Sequence, residues 1–259
     1  MGQIQLTECL DIRWHYINLS KRKDRRMQTL SEFLKIGVNP ARFNALTGDD
    51  YDEKDTRFPN FNLDGHVGCA LSHVALLEMA SHESGVIGIV EDDVVFCSDF
   101  QKRLDYIEQF TEPWDIFFLN AAFHLCPTWH KRTIGRDFDY TDFRHIVRVY
   151  GLWCTHSYLV NCNSAPKILE QLGDKLPDAK AIDHAYILCE PFLDCFCFVP
   201  GATIQRKGWS DITEGISEYS GFIPLGPHVY ADRMEDFDYE NFVTMATNEY
   251  SPDPNHRAI

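Results

Sequence analysis

The feature that most restricts this chain is a dry apolar run that ends in three carboxylates. Residues 85–90 read Gly-Val-Ile-Gly-Ile-Val and pass directly into Glu91-Asp92-Asp93. An apolar run without alternation suits a strand covered on both faces, as in sheets flanked by helices. Three adjacent acids there are costly unless solvent or a cation compensates, because each negative charge disfavours ionisation of its neighbours. They mark the end of the strand, and in open α/β sheets ligands bind beyond that carboxyl edge.

Strands and helices alternate around this run. Residues 13–19 predict a strand. Residues 25–36 predict a helix, with Met27, Leu30, Phe33 and Leu34 at helical spacing. Gly37 and Pro40 stop it, and residues 41–46 form a second strand. Residues 47–63 are a polar, acidic loop. Gly65-His66-Val67-Gly68 leads into a helix over 69–82. Residues 99–110 follow as a helix capped by Ser98 or Asp99. Residues 115–120 and 146–160 are strand-like, the latter interrupted at Gly151, and 121–143 is irregular. Helices over 164–172 and 181–190 precede a strand at 192–199. This order predicts an α/β fold. With no repeat and no low-complexity linker, residues 1–233 form one catalytic domain. Residues 234–259 form an acidic tail that packs on it or frays.

The formal net charge over 259 residues is −15. So acidic a surface repels phosphate backbones and anionic lipid, which makes nucleic acid and membrane surfaces poor partners. An anionic small substrate stays possible, since a bound divalent cation inverts the field inside a cleft. The nine cysteines are odd in number, irregularly spaced and free of C-x-x-C pairs. That argues against a disulfide framework or zinc ribbon and for a reducing compartment. Residues 1–10 lack the form of a signal peptide. No apolar stretch approaches the roughly 20 residues of a membrane span, so no integral membrane segment is expected.

Four constellations carry chemistry. The first is Glu91-Asp92-Asp93. Oxygen ligands of this kind suit Mn²⁺ or Mg²⁺, held by one or two carboxylates plus a substrate diphosphate. In extended backbone Glu91 and Asp93 point to one side and Asp92 to the other. The bland alternative is a solvated acidic loop; the dry strand before it favours a site. Second, Gly65 to His73 places glycines at a helix start, where phosphate is attracted, although a plain turn and helix would read the same way. Third, Asn18 to Arg26 is a basic cluster after the first strand. Arginine forks onto phosphate oxygens, yet a solvated helix start is also basic. Fourth, Asp183 opens a helix; it is either a dipole partner or, facing a cleft, a general base.

Taken in order, these segments resemble glycosyltransferase family 25, which includes bacterial lipooligosaccharide and animal procollagen galactosyltransferases. The matching residues are Ile17-Asn18-Leu19 with Arg22, Asp24, Arg25 and Arg26, then Phe43-Asn44-Ala45 and Gly48. Gly68-Cys69, Leu71-Ser72-His73 and the strand into Glu91-Asp92-Asp93 follow. Ser157-Tyr158-Leu159, Ala165, Ile182-Asp183 and Ser210-Asp211-Ile212 complete the set, over roughly residues 13 to 212. Ala181 stands where the family often has Pro, and 121–143 has no counterpart. The resemblance implies a GT-A-like fold with a mixed, mostly parallel sheet flanked by helices. It implies an inverting transfer of galactose or glucose from a UDP-sugar to a glycan or hydroxylated acceptor, with Mn²⁺ or Mg²⁺. Asp93 is then the metal ligand, joined by Glu91. Asn18, Leu19, Arg22, Arg25, Ser72, Glu91 and Asp92 bind the donor, with Ser72 and His73 supporting the acidic loop, and Asp183 is the catalytic base. The competing functions are a non-catalytic sugar- or partner-binding member and a metal-dependent phosphohydrolase. The hydrolase normally requires several metal-ligating His and Asp at strand ends, a set not evident in this sequence.

Overall fold

A computed structural model describes residues 10–50, 56–61, 63–123, 138–212, 214–217 and 229–243. The elements that build the central sheet and its flanks are β1 (Ile12–Asn18), α1 (Lys23–Lys35), β2 (Ala41–Asn44), α2 (Asp64–Ala80), β3 (Val86–Glu91), β4 (Val94–Phe96), α3 (Phe100–Glu108) and β5 (Ile116–Phe118). They continue with β6 (Ala122–Phe123), β7 (Phe138–Tyr140), β8 (Ile146–Val149), β9 (Leu152–Trp153), β10 (Ser157–Asn161), α4 (Ala165–Lys175), α5 (Ile182–Cys189) and β11 (Cys195–Phe198). Three short strands close the series: β12 (Thr203–Gln205), β13 (Gly208–Ser210) and β14 (Gly215–Ser217).

Eight strands form one sheet in the order β2-β1-β3-β10-β5-β11-β8-β7. β10 and β8 run against the other strands, so the sheet is mixed with most strands pointing one way. The fold is α/β as expected. The strand reading over 146–160 resolves into β8, β9 and β10, because the chain breaks at Tyr150–Gly151 and again at Cys154–His156. Within the irregular 121–143 stretch, β6 and β7 are strands; 124–137 lies outside the described residues.

Two apolar layers cover the sheet. Leu76, Leu77, Ile87, Ile89, Tyr158, Ile168 and Ala185 belong to one, under α2, α4 and α5. Trp14, Phe33, Val86, Val90, Phe100 and Leu104 belong to the other, under α1 and α3. Alternation along β3 therefore assigns Ile87 and Ile89 to the α2 side and Val86 and Val90 to the α1 side. Gly88 faces the indole of Trp14; a Cβ there would lie 2.3 Å from the ring, so the indole lies flat on the strand only over glycine. This two-sided burial explains why the run reads as continuously apolar.

Two helices differ from the sequence expectation. α1 buries Thr29, Glu32 and Phe33, whereas Met27 and Leu34 are 68% and 79% exposed. The helix is turned so that Phe33 enters the core while Arg25 and Thr29 reach Asp92. α2 starts at Asp64, so the Gly65 to Gly68 segment is the first helical turn and not a loop before it. Gly68 is needed for contact: a Cβ would sit 2.6 Å from the Leu46 carbonyl oxygen. Asp99, expected as a cap of α3, makes no capping bond. Its carboxylate instead accepts from Arg103 Nε and the Met234 backbone N–H. Met234 and Phe242 are buried, so the described start of the tail packs on the body.

Candidate active site

The sheet's alternation continues into the acids. Glu91 follows Ile87 and Ile89 toward α2, where its Oε1 lies 3.5 Å from His73 Nε2. Asp92 follows Val90 toward α1. Asn18 Nδ2 donates to one Asp92 oxygen at 2.7 Å and Arg25 Nη1 donates to the other at 2.7 Å. Thr29 Oγ1 also donates to the Asp92 carbonyl. Both carboxylate oxygens of Asp92 are thus occupied by the protein. Burial raises its pKa, against the pull of Arg25 and Asn18.

Asp93 stands in the turn between β3 and β4, and its environment is different. It is 7% exposed, with Arg25 Nη1 3.4 Å from Oδ2, while Oδ1 is buried without a hydrogen-bond partner. Burial and the adjacent Glu91 charge push its pKa up to about 7, with Arg25 and the Gln205 amide opposing them. A buried anion this poorly compensated is what a divalent cation would relieve.

These residues line one cavity of about 480 Å³. Its walls come from the ends of β1 and β3, the first turn of α2, and the start of α5, which contributes Asp183. Asp183 is half-buried and accepts a hydrogen bond from the His184 N–H at 2.8 Å. Burial lifts its pKa to about 6, with the nearby Glu91 charge adding to the rise. Beside it, Trp153 and His184 stack with ring centroids 6.2 Å apart. Cys154 also lines the cavity, held at φ +72°, a left-handed backbone unusual outside glycine.

Of the residues singled out from sequence, Leu19, Arg25, Ser72, Glu91, Asp92, Asp93 and Asp183 line this cavity. Asn18 lies just behind it, buried against Asp92. Ser72 is fully buried; its hydroxyl bonds the Gly68 carbonyl and receives the Leu46 N–H, which pins the 45–48 loop to α2. Arg22 is not among the lining residues. Its guanidinium is engaged by Asp211 and Asp24.

Sequence reasoning missed β12. It pairs with β4 and brings Gln205 to the cavity wall, while the Arg206 N–H donates to the Asp93 carbonyl oxygen at 2.6 Å. It also missed that Arg25 Nη2 is held by the Trp209 carbonyl at 2.6 Å. Neither contact has a local sequence signal. The seven described cysteines are free thiols, and no helix among the described residues is long and apolar enough to cross a membrane.

The sheet's carboxyl edge thus gathers Arg25, Glu91, Asp92 and Asp93 on one cavity, with Asp183 on another of its walls. The family model for glycosyltransferase family 25 (LPS biosynthesis protein) matches residues 12–185. The chain belongs to that family. Among similar curated proteins is a procollagen lysyl hydroxylase and glycosyltransferase of Acanthamoeba polyphaga mimivirus, 27% identical over 61% of this chain and 19% of that protein. Another is the "Probable inactive glycosyltransferase 25 family member 3" of Bos taurus, 27% identical over 59% of this chain and 28% of that protein. The chain spans between 19% and 37% of the length of the curated relatives it matches. A solved structure of the galactosyltransferase LgtC with donor and acceptor sugar analogues aligns with a TM-score of 0.46 and 12% identity, over 91% of this chain and 95% of that one.

Proposed function

We propose that this chain is an inverting, metal-dependent hexosyltransferase of GT-A type. It moves galactose or glucose from a UDP-sugar to a hydroxyl of a glycan or hydroxylated acceptor. The observation that carries this is the buried, unpartnered Asp93 Oδ1 on a cavity that Asp183 also lines. The oxygen donors there fit a hard cation, Mn²⁺ or Mg²⁺, held by Asp93 with Glu91 on the same cavity. When bound, that ion would neutralise the charge developing on the diphosphate leaving group.

The protein's own groups have distinct tasks. Asp92 is a brace: by holding Arg25 and Asn18 it fixes the turn that presents Asp93. Arg25, half-buried and lining the cavity, supplies fixed positive charge for a phosphate. Inversion needs one base to take the acceptor hydroxyl's proton, and Asp183 serves. A pKa near 6 leaves it ionised at neutral pH while keeping it more basic than an ordinary carboxylate.

This yields a pH prediction. Protonated Asp183 cannot accept a proton, so kcat/KM for transfer should fall as pH drops through about 6. Asp183→Asn should lower kcat by roughly 10²–10⁴-fold while sparing donor affinity. The assay is acceptor-dependent UDP release with Mn²⁺, across UDP-glucose and UDP-galactose and from pH 5 to 8. Normal turnover by Asp183→Asn would move the base elsewhere. The match to a relative named inactive supports one second function, donor binding without transfer. Stoichiometric UDP binding with no turnover on any acceptor would establish that alternative.

A further inference from the structure

The transferase proposal leaves Cys69 and the outer nitrogen of His73 unused. They sit four residues apart on α2, hence on one face of the helix. The row of side chains on β3 that contains Ile87 and Ile89 brings Glu91 up to that face. The Cys69 sulfur, a His73 ring nitrogen and a Glu91 carboxylate oxygen all lie within 4.8 Å of one another. His73 is fully buried, and its Nε2 faces Glu91 Oε1 at 3.5 Å, longer than a good hydrogen bond.

The other side of the imidazole is anchored. His73 Nδ1 is 2.8 Å from the Tyr158 hydroxyl, and Tyr158 is in turn bonded by the Tyr186 hydroxyl at 3.0 Å. The Tyr158 ring also stacks on His73, with centroids 5.7 Å apart. A ring held through one nitrogen, with the other aimed at a thiol and a carboxylate, has the outer-shell support that metal-binding histidines use. The donor set is one sulfur, one nitrogen and one oxygen. Mg²⁺ and Mn²⁺ prefer oxygen alone, whereas mixed S/N/O sets suit Zn²⁺ and its neighbours, commonly with a fourth, open position.

We propose that Cys69, His73 and Glu91 form a binding site for one borderline-soft divalent cation of the Zn²⁺ class, distinct from the hard-cation site at Asp93 except that both draw on Glu91. Binding releases the Cys69 thiol proton to solvent and leaves a metal–thiolate bond. The site stands apart from the transferase proposal and does not depend on it. It does share Cys69 and Glu91 with the cavity, so its occupancy withdraws that carboxylate from any donor.

Co²⁺ is the probe, because a cobalt–thiolate bond has a charge-transfer band in the near ultraviolet. Titrating the intact chain with Co²⁺ should develop that band to one equivalent, and one equivalent of Zn²⁺ should remove it. Cys69→Ser should abolish the band, with folding checked by thermal melting. Asp93→Asn should retain it. Glu91→Gln keeps both helix residues and covers the case in which Cys69→Ser does not fold. It should weaken Co²⁺ binding by about tenfold or more. No band in the unmodified chain, a band surviving Cys69→Ser, unchanged affinity in Glu91→Gln, or a band lost in Asp93→Asn would each overturn the proposal.

Discussion

Asp93→Asn is expected to reduce sugar transfer by about 10³-fold and yet raise the melting temperature of the metal-free protein at neutral pH. The loss follows from removing the carboxylate proposed to hold the cation. The gain follows from linkage. A carboxyl whose folded pKa is raised costs nothing below its unfolded value, begins to cost stability above it, and costs the full amount once pH passes the folded value. For Asp93 that window runs from the ordinary aspartate range of about 4 to about 7. Carrying that charge unrelieved costs the folded state on the order of a few kcal/mol. The asparagine forfeits its charge contact with Arg25, so a net gain of about 1–2 kcal/mol is the expectation. At this chain length each kcal/mol moves Tm by roughly 2–4 °C. Melts in chelator from pH 4 to pH 8 check it: the variant-minus-parent difference should grow across that window. A variant that melts lower at pH 8 would mean that the protein alone compensates Asp93.

The second large effect is on stability. Arg103 is fully buried on α3 and makes four hydrogen bonds. Nε donates to Asp99, Nη1 to the carbonyls of Pro200 and Gly201, and Nη2 to that of Ala231. Arg103→Leu leaves three carbonyls and a carboxylate without their donor and should cost about 3–5 kcal/mol. Lysine should not rescue it, since an ammonium cannot reproduce a planar fork reaching three backbone oxygens. Denaturant unfolding with an unchanged slope and a lowered midpoint is the expected record. A midpoint within experimental error of the parent would show that these carbonyls find other donors. The consequence reaches the site, because the segment Arg103 holds leads directly into β12 and Gln205.

Much of this arrangement was legible in the chain itself. The apolar run could be placed in the sheet because both faces of β3 are covered, and burial of that kind leaves a sequence trace. The opposed directions of Glu91 and Asp92 follow from the two-residue period of a strand. What stayed hidden depends on partners far away in sequence. Met27 and Leu34 look like a core stripe, but α1 turns to deliver Arg25 and Thr29 to Asp92, a choice no local spacing records. Arg22 looks like a phosphate ligand, yet Asp211, far along the chain, engages it. β4 and β12 are three-residue strands with little pattern of their own, so Gln205 could not be assigned to the site before the pairing was seen.

That pairing also ties distant parts of the chain together at the site. Val94 and Gln205 are register partners although more than a hundred residues separate them. Closing a loop of that span costs chain entropy that only the finished contacts repay. β1, β2 and β3 with their helices can collapse from nearby sequence, and the acids then stand at an unwalled edge. Only when the β12 segment docks do the Arg206 amide, Gln205 and the Trp209 carbonyl complete the enclosure. The enclosure of the acids is therefore a property of two distant stretches of chain held together, not of the strand that carries them.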